Sequence, residues 1–163
     1  MSTKTPALLK NRDQFLPIDL SKIPRVAVIG KLAKQIEIED KSLWSILKKA
    51  ANIELEFAYA EGHFDTNEVN ETLMNKAQRA ASVADVAVIF VGYFKKADRE
   101  KTDKLPTPQN VLVDVVSQVE KNVVVVVLAN SEVKMPWKKQ VRSILQLTEL
   151  DSKIVNFLFV NNL

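Results

Sequence analysis

The stretch DVAVIFVGYF, residues Asp85 to Phe94, decides the fold. It is a nearly unbroken run of β-branched and aromatic residues of strand length, and NVVVVVLAN, Asn122 to Asn130, repeats the pattern. Strands covered on both faces read this way, whereas half-exposed strands alternate apolar and polar positions. Working outward, RVAVIG (Arg25 to Gly30) follows Pro24 and reads as another buried strand. IELEFAYA (Ile53 to Ala60) alternates early and reads as partly exposed, and RSILQLTEL (Arg142 to Leu150) completes five runs.

Segments with helical spacing separate these runs. SLWSILKKAA sets Leu43, Ile46, Leu47 and Ala50 on one face. Thr66 is placed to cap a helix whose apolar stripe is Val69, Leu73, Ala77, Ala80 and Ala81. Thr107 as N-cap and Pro108 in the first turn open a helix carrying Val111, Leu112, Val115, Val116 and Val119. DSKIVNFLFVNNL supplies a last one, with Ile154, Val155, Leu158 and Phe159. Strands alternating with helices predict a parallel sheet with helices on both faces. The expected fold is therefore α/β, a three-layer α/β/α sandwich of about five mostly parallel strands, flavodoxin-like in outline. Residues 1–163 are expected to form one domain, with 1–23 as an N-terminal packing segment and 24–163 as the sandwich. ALLKNRDQFLPIDLSKIP is too apolar for a dangling tail and is expected to pack along the sheet or against a partner.

Composition narrows the chemistry. There are no cysteines and one histidine, which removes disulfides, thiolate metal sites and two-histidine metal centres. Lys and Arg exceed Asp and Glu by 23 to 20, too mild and scattered an excess to point to nucleic acid. No apolar run reaches the roughly 18–20 residues needed to span a bilayer, and MSTKTPALLK lacks a signal-peptide core, so a cytoplasmic protein is expected. Only three glycines occur (Gly30, Gly62 and Gly92), where average usage near 7% gives about eleven. Such a chain has few close-approach loops for phosphates. Gly30 heads neither a G-x-G-x-x-G turn nor a P-loop, and no cofactor or metal is expected.

Ligands in parallel sheets sit beyond the carboxyl ends of the strands. One such loop, EGHFDTNE, holds Glu61, His63 and Asp65, where Asp65 and Thr66 also serve as turn and capping residues. Another, KKADREKTDKLPTP, is long and charged, with Lys95, Lys96, Asp98, Arg99, Glu100, Lys101, Asp103 and Lys104. A third contains Met135, Pro136 and Trp137. Trp137 either stacks on a sugar ring or pins its loop to the domain, the second being the plainer role.

The segments ALLKNRDQFLPID, KIPRVAVIG, AEGHFDTNE, ASVADVAVIFVGYF, LPTPQNVLVDVV, NVVVVVLANSEVKMPW and SILQ occur in an order and spacing that resembles the C-terminal α/β sandwich domain of glycoside hydrolase family 3, most of all its β-glucosidases. The resemblance runs from about Ala7 to the end. It implies an aspartate nucleophile on a separate (β/α)8 barrel, and an acid/base glutamate in the loop after the third strand, just before an Asp-Arg pair. The matching pair here is Asp98 and Arg99, which puts the glutamate position on or near Lys95. Glu100 is the only stand-in, and its register is displaced. The glycine-rich stretch after the first strand is replaced by KLAKQIEIEDK, and the glycine turn before the last helix by LTELDSK. The expectation is a degenerate, excised or engineered non-catalytic domain acting as scaffold or interaction module, with Asp98, Arg99 and Trp137 as its binding candidates. The alternative is an accessory half of a two-part β-glucosidase, active only beside a barrel partner.

Overall fold

The computed structural model describes residues 7–19, 22, 25–35, 37–38, 41–42, 56–63, 68–93, 102–148 and 154–159. Among them are eight strands: β1 (Ala7–Asn11), β2 (Arg25–Ile29), β3 (Glu37–Ile38), β4 (Lys41–Ser42), β5 (Glu56–Ala60), β6 (Val86–Gly92), β7 (Val123–Leu128) and β8 (Ser143–Leu147). The α-helices among the described residues are α1 (Leu32–Gln35), α2 (Glu71–Ser82), α3 (Thr107–Ser117) and α4 (Ile154–Leu158). Six strands form one sheet in the order β1-β8-β7-β6-β2-β5, and β3 and β4 make a separate antiparallel pair. Every pairing in the large sheet is parallel except that of β1 with β8. The expected α/β sandwich is present, with one strand more than the five runs indicated.

Parity sorts the core into two layers. Val86, Val88 and Phe90 of β6 join Val124, Val126 and Leu128 of β7 on one face, under Leu32, Ile154, Leu158 and the Leu16–Ile18 segment. Ala87, Ile89 and Val91 join Val123, Val125 and Val127 on the other, under α2 and α3. All seven residues of β6 and all six of β7 are buried. Burying a valine side chain contributes roughly 1.5–3 kcal/mol, so the unbroken runs that identified the strands are also the centre of stability.

The helices depart from the expected stripes. The cap of α2 is Asn70, whose Oδ1 accepts the Leu73 N–H at 3.0 Å. Val69 lies before the helix and is exposed, and Met74, Ala77 and Ala81 face the sheet. Helix α3 begins at Thr107 with Pro106 as its N-cap, and no side chain caps it. Its inward face is Pro108, Gln109, Leu112, Val113 and Val116, so the stripe is rotated and Val119 points to solvent. The helix expected over residues 43–50 and the Thr66 position fall outside the described residues.

The N-terminal segment lies along the sheet. β1 runs antiparallel to β8, and the turn after it is pinned by Asn11, whose side chain donates to the Leu16 carbonyl at 3.0 Å and accepts the Leu16 N–H at 2.9 Å. The Ser143 hydroxyl donates to the same Asn11 oxygen at 2.8 Å. Arg142 ties this turn to the amino end of the sheet: it donates to Asn122 Oδ1 at 2.6 Å, pairs with Asp13 at 3.4 Å and lies 4.6 Å from the centre of the Phe15 ring. Ile18 then bridges to Phe159 in parallel. Among the described residues, no helix is long and apolar enough to cross a membrane.

Candidate functional site

The carboxyl ends of β2, β5, β6 and β7 open on one side of the sheet, and the loops there hold the candidate residues. After β2, Gly30 turns at φ +116°, where a Cβ would collide with the Phe90 backbone. The chain then goes straight into α1, burying Leu32 and Ala33. Lys31 lies 3.9 Å from Glu61, and Lys34 stands 4.2 Å above the Tyr59 ring. The Tyr59 hydroxyl donates to the Gly30 carbonyl at 3.2 Å. The side chains at the mouth of β2 and β5 are thus engaged with one another, and sequence reading had singled out only Glu61 and Gly30 among them.

Burial, reinforced by the nearby Glu61 carboxylate, pushes the Tyr59 phenol up to about 12. The folded protein therefore holds this proton more tightly than the unfolded chain, whose tyrosine titrates near 10. The stability this supplies is complete below pH ~10 and is lost as pH rises towards ~12. Tyr59 and Tyr93 are the only tyrosines. Alkaline ultraviolet titration of a Tyr93→Phe variant is expected to show tyrosinate forming near pH 12; a midpoint near 10 would contradict the burial of the ring.

His63 is buried, 4% exposed, next to Gly62, where a Cβ would strike the Leu112 side chain. Asp65 lies outside the described residues, as do Lys95, Lys96, Asp98, Arg99, Glu100 and Lys101 of the charged loop. The two stems of that loop are described. At the first, Gly92 ends β6, and the buried Gln109 side chain clamps it: the Gly92 N–H donates to Gln109 Oε1 at 2.7 Å, and Gln109 Nε2 donates back to the Gly92 carbonyl at 2.9 Å. Tyr93 then reaches across the loop, its hydroxyl donating to the Lys104 carbonyl at 3.0 Å. At the second stem, the Lys134 N–H donates to the Asp103 carbonyl at 2.8 Å. Sequence reading missed Gln109, although a lone amide on the inward face of an apolar helix is the signal that marks it.

Trp137 is 1% exposed, and its indole N–H donates to Asn110 Oδ1 on α3 at 2.9 Å. Its ring lies within the core layer of α2 and α3. Both ring faces are taken up by the domain, so this geometry leaves no face for a sugar to stack on. Among the described residues, no group of three or more His, Asp and Glu side chains could hold a metal ion. Burial pushes the Glu120 carboxyl up, against the opposing hydrogen bond from the Asn122 N–H. Glu120 precedes β7 and so sits at the amino end of the sheet, away from these loops.

The model of the glycosyl hydrolase family 3 C-terminal domain matches residues 6–158. The chain belongs to that family. It is 33% identical over 161 residues to thermostable β-glucosidase B of Acetivibrio thermocellus, a match covering 89% of this chain and 21% of that protein. It is 28% identical over 160 residues to an exo-α-(1→6)-L-arabinopyranosidase of Bifidobacterium breve, covering 85% and 21% respectively. The crystal structure of a family 3 β-glucosidase from Bifidobacterium adolescentis superposes with a TM-score of 0.73 at 29% identity, covering 86% of this chain and 22% of that one. The chain therefore spans about a fifth of the length of these relatives. Family membership agrees with the resemblance drawn from the ordered segments, and with the sandwich just described.

Proposed function

We propose that this member of the family is non-catalytic, a C-terminal-type sandwich that serves as a scaffold or interaction module. What supports this reading is Lys95, which the family resemblance puts on or near the position of the acid/base glutamate, before Asp98-Arg99. A glycosidase acid must give its proton to the leaving oxygen near neutral pH, which suits a carboxyl of raised pKa. An ammonium with a reference pKa near 10.4 holds its proton too tightly for that role.

A second reading keeps the chain as the accessory half of a two-part β-glucosidase, its charged loop reaching into the pocket of a barrel partner that carries the aspartate nucleophile. The clamped stems at Gly92 and Tyr93 favour it, because they still hold the base of that loop. One experiment separates the two readings. The purified chain is assayed on an aryl β-glucoside, alone and with a separately produced family 3 barrel. On the first reading both rates equal the buffer blank. Turnover that needs both components and falls at least about a hundredfold in Glu100→Gln, the usual scale for losing a general acid, establishes the second.

A further inference from the structure

We propose that the outer edge of β1 pairs antiparallel with β1 of a second copy of this chain, joining two sheets across a twofold axis. This goes beyond the functional reading above and is independent of it. Strand β1 ends the sheet order, and among the described residues its strand neighbour is β8 alone. An open edge offers a row of backbone donors and acceptors, which proteins usually guard with projecting charge or burial.

Here the guard is turned away. The register with β8 shifts between Leu8 and Lys10, leaving Leu9 without a partner in β8. Two successive leucines consequently reach solvent, Leu8 52% and Leu9 42% exposed. Lys10, the charge in this strand, folds back onto its own molecule, donating to the Lys138 carbonyl at 2.8 Å. Beside the strand runs a cavity of about 430 Å³ lined by Ala7, Leu9, Val133 and Met135, with Glu132 and Lys138 also on its wall.

Those two charges select the occupant. Glu132 lies level with Ala7, because Gln146, the β8 partner of Ala7, donates to the carbonyl of Ser131. Lys138 lies level with Lys10. Antiparallel pairing centred on Leu9 sets Leu9, on the cavity face, against Leu9 of the second copy, and Ala7 against its Asn11, next to Lys10. Glu132 of each copy then meets the Lys10–Lys138 end of the other, and symmetry repeats the contact. That end is crowded with cations: burial, Arg12 and Lys138 all push the Lys10 ammonium down. A second copy supplies apolar cover, backbone pairing and opposite charge in one arrangement.

Sedimentation equilibrium of the full chain tests this. The expected mass rises with concentration from 18.4 kDa towards twice that value. Leu9→Lys is expected to stay monomeric and, at concentrations low enough that the parent is monomeric too, to melt with it in circular dichroism because the site is exposed. Glu132→Lys and Lys138→Glu, each placing like charges together twice, are expected to raise the dimer dissociation constant about tenfold or more. Their equimolar mixture, in which both contacts are opposite in sign again, is expected to regain parental association. A mass of 18.4 kDa at every concentration overturns the proposal. So does a dimer that survives Leu9→Lys, or one in which the mixed charge variants associate no better than either alone.

Discussion

Gly92→Ala is expected to lower the unfolding free energy by about 4 kcal/mol, the sum of backbone strain and overpacking at ~1–3 kcal/mol each. Gly92 sits at φ +130°, and a Cβ there would fall on the Leu128 carbonyl oxygen of the neighbouring strand and 2.9 Å from the Leu128 Cβ. The peptide cannot rotate away cheaply, because Gln109 holds both its N–H and its carbonyl. Relief in any direction breaks a buried hydrogen bond. For a chain of this size the loss corresponds to a fall in melting temperature on the order of 10 °C. Gln109→Ala, which strands both Gly92 groups, is expected to cost about 2–6 kcal/mol at ~1–3 per orphaned group. Because both changes attack one clamp, the double variant should lose less than the sum. Urea melts of the three variants check this; a Gly92→Ala curve superimposing on the parent would refute the clamp.

That clamp illustrates where the sequence is legible and where it is not. Strands β6 and β7 announce themselves because burial on both faces removes polar residues from every position. Helix α3 is legible as a helix but not in rotation: valines at 111, 115 and 119 suggested one stripe, whereas Gln109 turns inward to serve Gly92. A side chain whose partner lies seventeen residues away leaves no local periodicity to read. The cap of α2 is hidden for a different reason: Thr66 and Asn70 both have capping chemistry, although the bond Asn70 makes is local, to Leu73. β1 escaped notice as a strand because ALLKN does not alternate, and it does not alternate because the shifted register exposes two leucines in a row. β3 and β4, two residues each, are too short for any period.

The candidate site divides along similar lines. The departures that the family resemblance implies at Lys95 and after Gly30 rest on the ordered segments alone, since each is a matter of which residue stands where. The mutual engagement of Lys31, Lys34, Tyr59 and Glu61 cannot, because it joins the ends of two strands about thirty residues apart. It nevertheless has a counterpart in composition. A mouth lined by a short helix and paired side chains needs few glycines, and this chain has three.

Trp137→Ala is expected to produce a loss of comparable size, about 3–5 kcal/mol, the range for removing a buried aromatic ring. The indole fills the layer shared by α3 and β7, and its N–H is the link from the loop after β7 to Asn110. Trp137→Phe keeps most of the ring and drops the hydrogen bond, so it is expected to cost only about 1–2 kcal/mol. The pair checks the buried-anchor role against the sugar platform that the sequence by itself allowed. A sugar platform would tolerate alanine in a melt and lose ligand, whereas a core anchor melts early and leaves no saccharide-dependent signal to lose. The anchor also has a reach beyond its own site, because Val133, Met135 and Lys138 on the same loop form the wall beside β1. Loosening Trp137 should therefore weaken self-association at temperatures where the sheet is still intact, a coupling that sedimentation of the phenylalanine and alanine variants below their melting points would reveal. Equal association in the parent and both variants would mean that the wall is held by something other than this ring.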